Sequence, residues 1–225
     1  MVEQSSMKKR ILIPIILLSF LIVENVLAHQ PRIVTGEGIV QIENPDISQA
    51  FYGELMGQPA YFEINSAQPL EFYIGLLVPD IVGIDKDVSA KVYSEQKVEE
   101  KELFILDGIN HDWTYYFEEF AGDSYYQGPE KEIDLEKGKY IIEVFSNDNK
   151  GKYVLVVGKK EEFPIQEIIK TILLLPSLKK NFFNKSPFTA YFNLIGVFLL
   201  VFILIIVGVA VLIFFLVKRI RRKKF

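Results

Sequence analysis

Residues 138–158 read GKYIIEVFSNDNKGKYVLVVG, and this stretch decides the fold. Tyr140, Ile142 and Val144 alternate with Ile141, Glu143 and Phe145; Tyr153, Leu155 and Val157 alternate with Val154 and Val156. A period of two in Tyr, Ile and Val residues is the pattern of strands with two distinct faces. Asn147-Asp148-Asn149-Lys150-Gly151 between them is turn chemistry, so Lys139–Ser146 and Lys152–Gly158 are read as the two arms of a β-hairpin.

Working outward, short apolar runs predict further strands at 38–42, 47–55, 60–64, 70–78, 90–94, 102–106 and 115–120. Met56-Gly57-Gln58-Pro59, Asn65-Ser66-Ala67 and Glu136-Lys137-Gly138 supply turns between several of them. No long helical pattern interrupts residues 29–162. Several short strands at regular spacing predict an all-β domain, a β-sandwich or jelly roll.

The segments Leu135–Val144 and Gly151–Val157 resemble the closing hairpin of bacterial pre-peptidase C-terminal-type jelly-roll domains, which end in a turn, a Gly, a Tyr strand, a polar loop and a second Tyr strand. Tyr61-Phe62-Glu63-Ile64 fits an earlier strand of that pattern. The resemblance covers about a third of the middle region. It implies a non-catalytic extracellular β-sandwich, in some members calcium- or sugar-binding, and it transfers no functional residue. The chain departs from the pattern in that an apolar run follows the domain.

The two ends read as address and anchor. Lys8, Lys9 and Arg10 precede the uncharged run Ile11–Val23, and Val26 and Ala28 fit the small-residue positions of a cleavage site. Residues 1–28 are therefore read as a secretory signal peptide, with an uncleaved anchor as the alternative. Leu194–Val217 contains no charge over twenty-four residues, and Tyr191 and Phe192 add an aromatic edge. At about 1.5 Å per residue, such a helix reaches about 36 Å, enough to cross a bilayer. Residues 191–217 are read as a transmembrane helix and the basic tail 218–225 as cytoplasmic, by the positive-inside rule. The intervening 163–190 holds Ile165, Ile168, Ile169, Ile172 and Leu173 at helical spacing, started by Pro164 and stopped by Pro176. This amphipathic segment either lies on the membrane or packs on the domain. Asn184-Lys185-Ser186 is a formal N-glycosylation sequon.

Charge follows the same division. Residues 29–190 carry 16 basic and 27 acidic side chains, net −11, whereas residues 191–225 carry 6 basic and none acidic. An acidic middle repels phosphate backbones, which excludes nucleic acid as its partner. The absence of cysteine removes disulfides, thiolate chemistry and Cys-ligated metal centres.

Three candidate sites remain. His29 would begin the mature chain, so its imidazole and α-amine, with His111, would supply the three nitrogens of a copper histidine brace; such donors suit Cu(II). Asp107, Asp112, Glu118, Glu119 and Asp123 lie close enough in sequence to suggest a calcium site, or plain acidic surface. Trp113, Tyr115, Tyr116, Phe117, Phe120, Tyr125 and Tyr126 form an aromatic cluster, in which Trp113, Tyr115, Tyr116, Tyr125 and Tyr126 are read as facing a protein or carbohydrate partner, against the alternative of core. Catalytic motifs are missing: there is no Gly-x-Ser-x-Gly, phosphate loop or His-Glu-x-x-His. The expectation is a single-pass cell-surface protein with a non-catalytic binding or assembly domain, and the alternative is a copper-binding or copper-redox domain.

Overall fold

The computed structural model describes residues 29–35, 38–95 and 100–222. The signal-peptide reading of residues 1–28 lies outside them, as do the last three residues of the basic tail.

Eleven strands among the described residues make two sheets. The six-stranded sheet runs β1 (Gln30–Ile33), β3 (Gln49–Met56), β11 (Lys150–Val157), β5 (Leu70–Pro79), β9 (Asp123–Leu135) and β8 (Thr114–Glu118). The five-stranded sheet runs β2 (Ile39–Ile42), β4 (Ala60–Ser66), β10 (Gly138–Phe145), β6 (Ser89–Glu95) and β7 (Glu100–Leu106). Most neighbours are antiparallel; β1 on β3 and β2 on β4 are parallel edges added by the N-terminal strands.

One hydrophobic core joins the sheets. Phe51, Phe72, Tyr153 and Leu155 of the larger sheet cluster with Phe62, Ile64, Val92 and Ile142 of the smaller. The Phe51 and Phe62 rings meet edge to face at 5.5 Å. Alternation explains which side chains enter: Tyr140, Ile142 and Val144 are buried, and Ile141, Glu143 and Phe145 between them are not.

The expected hairpin of residues 139–158 is corrected. Its two arms are strands, but they do not pair. β10 lies between β4 and β6, and β11 between β3 and β5. The turn, with Asn149 and Gly151 in the left-handed region, passes the chain from one sheet to the other. Both arms are therefore interior strands.

Two strands escaped the sequence reading. β1 is short and contains Pro31. β9 runs through Gly128-Pro129, a pair that reads as a turn. The pairing of β5 with β9 shifts register between Gly75 and Leu77, opposite this proline, so the missing N–H falls at a bulge where the ladder needs no donor.

After the sheets, helix α1 (Ile165–Ser177) continues into a π-helical turn, Leu178–Phe182. A 3-10 turn, Pro187–Tyr191, leads to helix α2 (Leu194–Arg222). α2 is the one helix among the described residues long and apolar enough to cross a membrane. It continues past Val217 through Arg219, Arg221 and Arg222 in its last turn, so the start of the basic tail is helical.

Candidate functional site

The aromatic cluster is divided by strand geometry. β8 and β9 pair with Tyr115 opposite Tyr126 and Tyr116 opposite Tyr125. Alternation sends the first pair to one side of the sheet and the second to the other. Tyr115 is 60% exposed and Phe117 48%, both on the edge strand. The Tyr115 ring meets Tyr126 edge to face at 6.4 Å, and its hydroxyl lies 2.9 Å from Ser124 Oγ. Tyr126 packs against the main core, with Lys86 Nζ 4.0 Å from its ring centre.

Trp113 is a structural wedge. Its Nε1 donates to the Gly108 carbonyl at 2.7 Å, and its ring packs on the main core. A Cβ on Gly128 would stand 2.5 Å from the indole, and one on Gly108 would stand 1.8 Å from the Val88 carbonyl oxygen. The slot exists because both positions lack a side chain. His111 lies exposed beside it, its ring 6.2 Å from the indole.

Tyr116 and Tyr125 face a partner within the same chain. Phe182 and Phe183 lie on Tyr52 and Tyr125, with ring centres 5.0 and 5.4 Å apart, and Leu178 completes the cluster over Val154 and Val156. The Tyr52 and Tyr125 hydroxyls are 3.0 Å apart, and burial pushes both phenols well above their ordinary range. The segment 163–190 thus packs on the domain through its C-terminal half.

A buried ion pair fixes this packing. Lys179, 1% exposed, donates from Nζ to Asp123 Oδ2 at 2.7 Å and to the Ala121 carbonyl at 2.7 Å. Lys185 reaches Asp123 Oδ1 at 3.0 Å. The Glu118 carboxylate accepts from the amides of Phe120 and Ala121 at 2.8 and 2.7 Å, and burial raises its proton affinity. The same β8–β9 turn receives α2: Asn193 Nδ2 donates to the Ala121 carbonyl at 2.6 Å, and Ile195 clusters with Leu175 and Ala190 against Phe120. The helix that could cross a membrane is therefore joined to the β domain by a packed, hydrogen-bonded junction. Sequence reading missed Lys179 as a functional anchor. The available signal was a lysine within the apolar set Leu175, Leu178 and Phe182.

The two metal sets are not assembled. His29 precedes β1 and His111 precedes β8, at opposite edges of the six-stranded sheet. Five strand steps of about 4.8 Å separate them by about 24 Å along the sheet, too far for a shared copper. The cause is topological: β1 adds beyond β3, whereas β8 adds beyond β9. Of the five acids, Glu118 and Asp123 are register partners, but amides and ammonium groups occupy their oxygens. Asp107 folds its own turn by accepting from the Ile109 and Asn110 amides and from Asn110 Nδ2, contacts that lower its proton affinity. Asp112 and Glu119 are exposed. Among the described residues, no three His, Cys, Asp or Glu side chains gather to hold a metal ion.

His29 has a different role. Its Nδ1 hydrogen-bonds the Ser48 hydroxyl, and burial lowers its pKa to about 4. The unfolded chain, titrating near 6.5, binds more protons than the folded one between these values. Stability is therefore full above pH 6.5 and falls as pH drops toward 4, by about 3 kcal/mol. Urea unfolding of the detergent-solubilised chain, followed by fluorescence of its single tryptophan, should show most of this loss by pH 4.5. His29→Gln should lack that component. Parallel pH profiles for the two chains would refute the assignment.

These features define a class: a two-sheet β domain packed onto a helix long and apolar enough to cross a membrane. No protein-family model matches the chain, and no curated relative matches it. Among solved structures it is similar to the pre-peptidase C-terminal domain of a collagenase from Bacillus anthracis, the class that the closing strands resemble. Identity is 17%, the TM-score is 0.35, and the match covers 55% of this chain and 98% of that one. It is also similar to CorA, a surface-associated copper-binding protein important in copper acquisition by Methylomicrobium album BG8. That match has 7% identity and a TM-score of 0.29, covering 56% and 100% of the two chains.

Proposed function

We propose that the chain is a single-pass cell-surface protein whose jelly-roll sandwich binds or assembles without catalysis. Residues 1–28 serve as its signal peptide, the β domain stands outside the cytoplasm, and the basic end of α2 lies inside. The observation that carries this reading is the packed junction. α2 leaves the domain through Asn193 and Ile195, which are held on the β8–β9 turn, so the domain is set at a fixed attitude to its anchor. The arginines in the last turn of α2 favour the cytoplasmic side for that end. A non-catalytic role is supported by the work its carboxylates already do. Asp123 neutralises two lysines, Glu118 caps a turn, and Glu167 pairs with Arg32 and Lys170. Tyr115 and Phe117, exposed on the edge strand, are the members of the aromatic cluster that stay open to a protein or carbohydrate.

Topology is tested with single cysteines in a chain that has none. Gln68→Cys sits in the exposed turn between β4 and β5, and Lys224→Cys in the tail. On intact cells an impermeant maleimide should label the first and reach the second only after lysis. The reverse pattern, labelling of both, or labelling of neither would overturn the reading.

A further inference from the structure

We propose that helix α1 seats its isoleucine face in the headgroup layer of the bilayer that α2 crosses. This rests on the membrane anchoring proposed above and adds a second contact surface to it.

α1 has two apolar sides. One, through Leu174 and Leu175, is spent on the domain and the junction. The other carries Ile165, Ile168, Ile169 and Leu173 at spacings of three and four residues, with exposures of 62%, 38%, 52% and 73%. Helical spacing places them on one stripe. Four large aliphatic side chains on one exposed stripe have no counterpart elsewhere on the described β domain, where the most that stand together are Leu103 and Ile105 on the edge strand β7. The flanks are polar: Lys170 is exposed and pairs with Glu167.

The position of α1 identifies what covers this stripe. Tyr191 donates its hydroxyl to the Ile172 carbonyl at 2.9 Å, and Leu175 shares a cluster with Ile195 in the first turn of α2. The stripe therefore starts beside the head of the spanning helix and extends about 12 Å over the eight residue steps from Leu173 to Ile165. Phe188 and Phe192, 82% and 85% exposed, lie on the connection between the two helices. Aromatic rings at the end of a span and an amphipathic helix beside it both suit the interface between headgroups and acyl chains. A second copy of the chain is the weaker occupant. Four side chains fall well short of the roughly 800 Å² per partner that a stable protein interface buries. A bilayer demands no shape complementarity and is already held in place by α2.

The test uses the full chain in phosphatidylcholine vesicles with single nitroxide-labelled cysteines. Ile169→Cys and Leu173→Cys probe the stripe, Lys180→Cys an exposed polar position, and Leu204→Cys the middle of the span. Tryptophan fluorescence verifies that each variant is folded. Collision with oxygen should exceed collision with a water-soluble nickel chelate severalfold more at 169 and 173 than at 180, though less than at 204. If 169 and 173 match 180 while 204 remains in lipid, the seating is overturned and the anchoring stands. If 204 is itself aqueous, the anchoring fails first. Dipolar broadening between labels at 169 or 173, with both collision partners excluded, would assign the stripe to a second copy and overturn the lipid contact.

Discussion

Replacing Asp123 with Asn is expected to destabilise the folded chain by about 3–5 kcal/mol, the usual cost of leaving a buried charge without its partner. Asn keeps the volume and one acceptor oxygen but removes the full negative charge that, among the described residues, touches Lys179 Nζ, which is 1% exposed. Glu118 acts on the same lysine from a greater distance, but its oxygens are committed to the Phe120 and Ala121 amides. Lys179→Met should cost less, because Asp123 retains Lys185, whose side chain is 37% exposed and adaptable. The double variant should recover part of the Asp123→Asn loss, since the buried ammonium is then gone. The interaction term of this cycle should be at least about 1 kcal/mol. Urea unfolding monitored by tryptophan fluorescence reads all four chains. A loss below about 0.5 kcal/mol for Asp123→Asn would mean that the pair is not buried as described. Trypsin offers an independent check: cleavage after Lys179, protected in the parent, should appear in Asp123→Asn as the segment lifts from the sheet.

That pair also shows where sequence reading stops. Asp123 was visible as one of five nearby acids, and the spacing suggested calcium. Its actual partners lie 56 and 62 residues further along, beyond any local pattern. The strands were legible because alternation is local: Tyr140, Ile142 and Val144 announce a face whatever lies across from it. Their partners were not. An Asn/Asp/Gly turn between two alternating runs fits a hairpin and an inter-sheet crossing equally well. One clue separated them. β11 is apolar on both faces, with Val154 and Val156 as buried as Tyr153 and Leu155. A strand of that kind must be covered on its outer side, here by Leu178 and Phe182 of the turn that follows α1. In sequence the segment 163–190 fits either the domain or the membrane. The structure gives α1 separate apolar faces, so packing on the domain leaves a second face free.

Trp113→Ala is expected to cost about 3 kcal/mol or more, as for other large aromatics removed from packed sites, whereas Tyr115→Ala should change stability by no more than about 1 kcal/mol. The two residues are separated by one position and look equivalent in sequence. The indole fills a slot between Gly108 and Gly128 and donates a hydrogen bond to the Gly108 carbonyl. Its loss opens a cavity that the rigid backbone on both sides cannot close. The Tyr115 ring stands at the sheet edge, and losing it forfeits an edge-to-face contact with Tyr126 and a hydroxyl contact with Ser124. Thermal unfolding followed by far-UV circular dichroism measures both, since the first variant lacks the fluorophore. Gly128→Ala should mimic the Trp113 loss from the opposite side, because its Cβ would stand 2.5 Å from the indole Cη2. Equal effects at 113 and 115 would mean that the aromatic cluster acts as one surface after all. Unequal effects would leave Tyr115 and Phe117 as aromatics that the fold can spare, and a recognition surface is built from side chains of that kind.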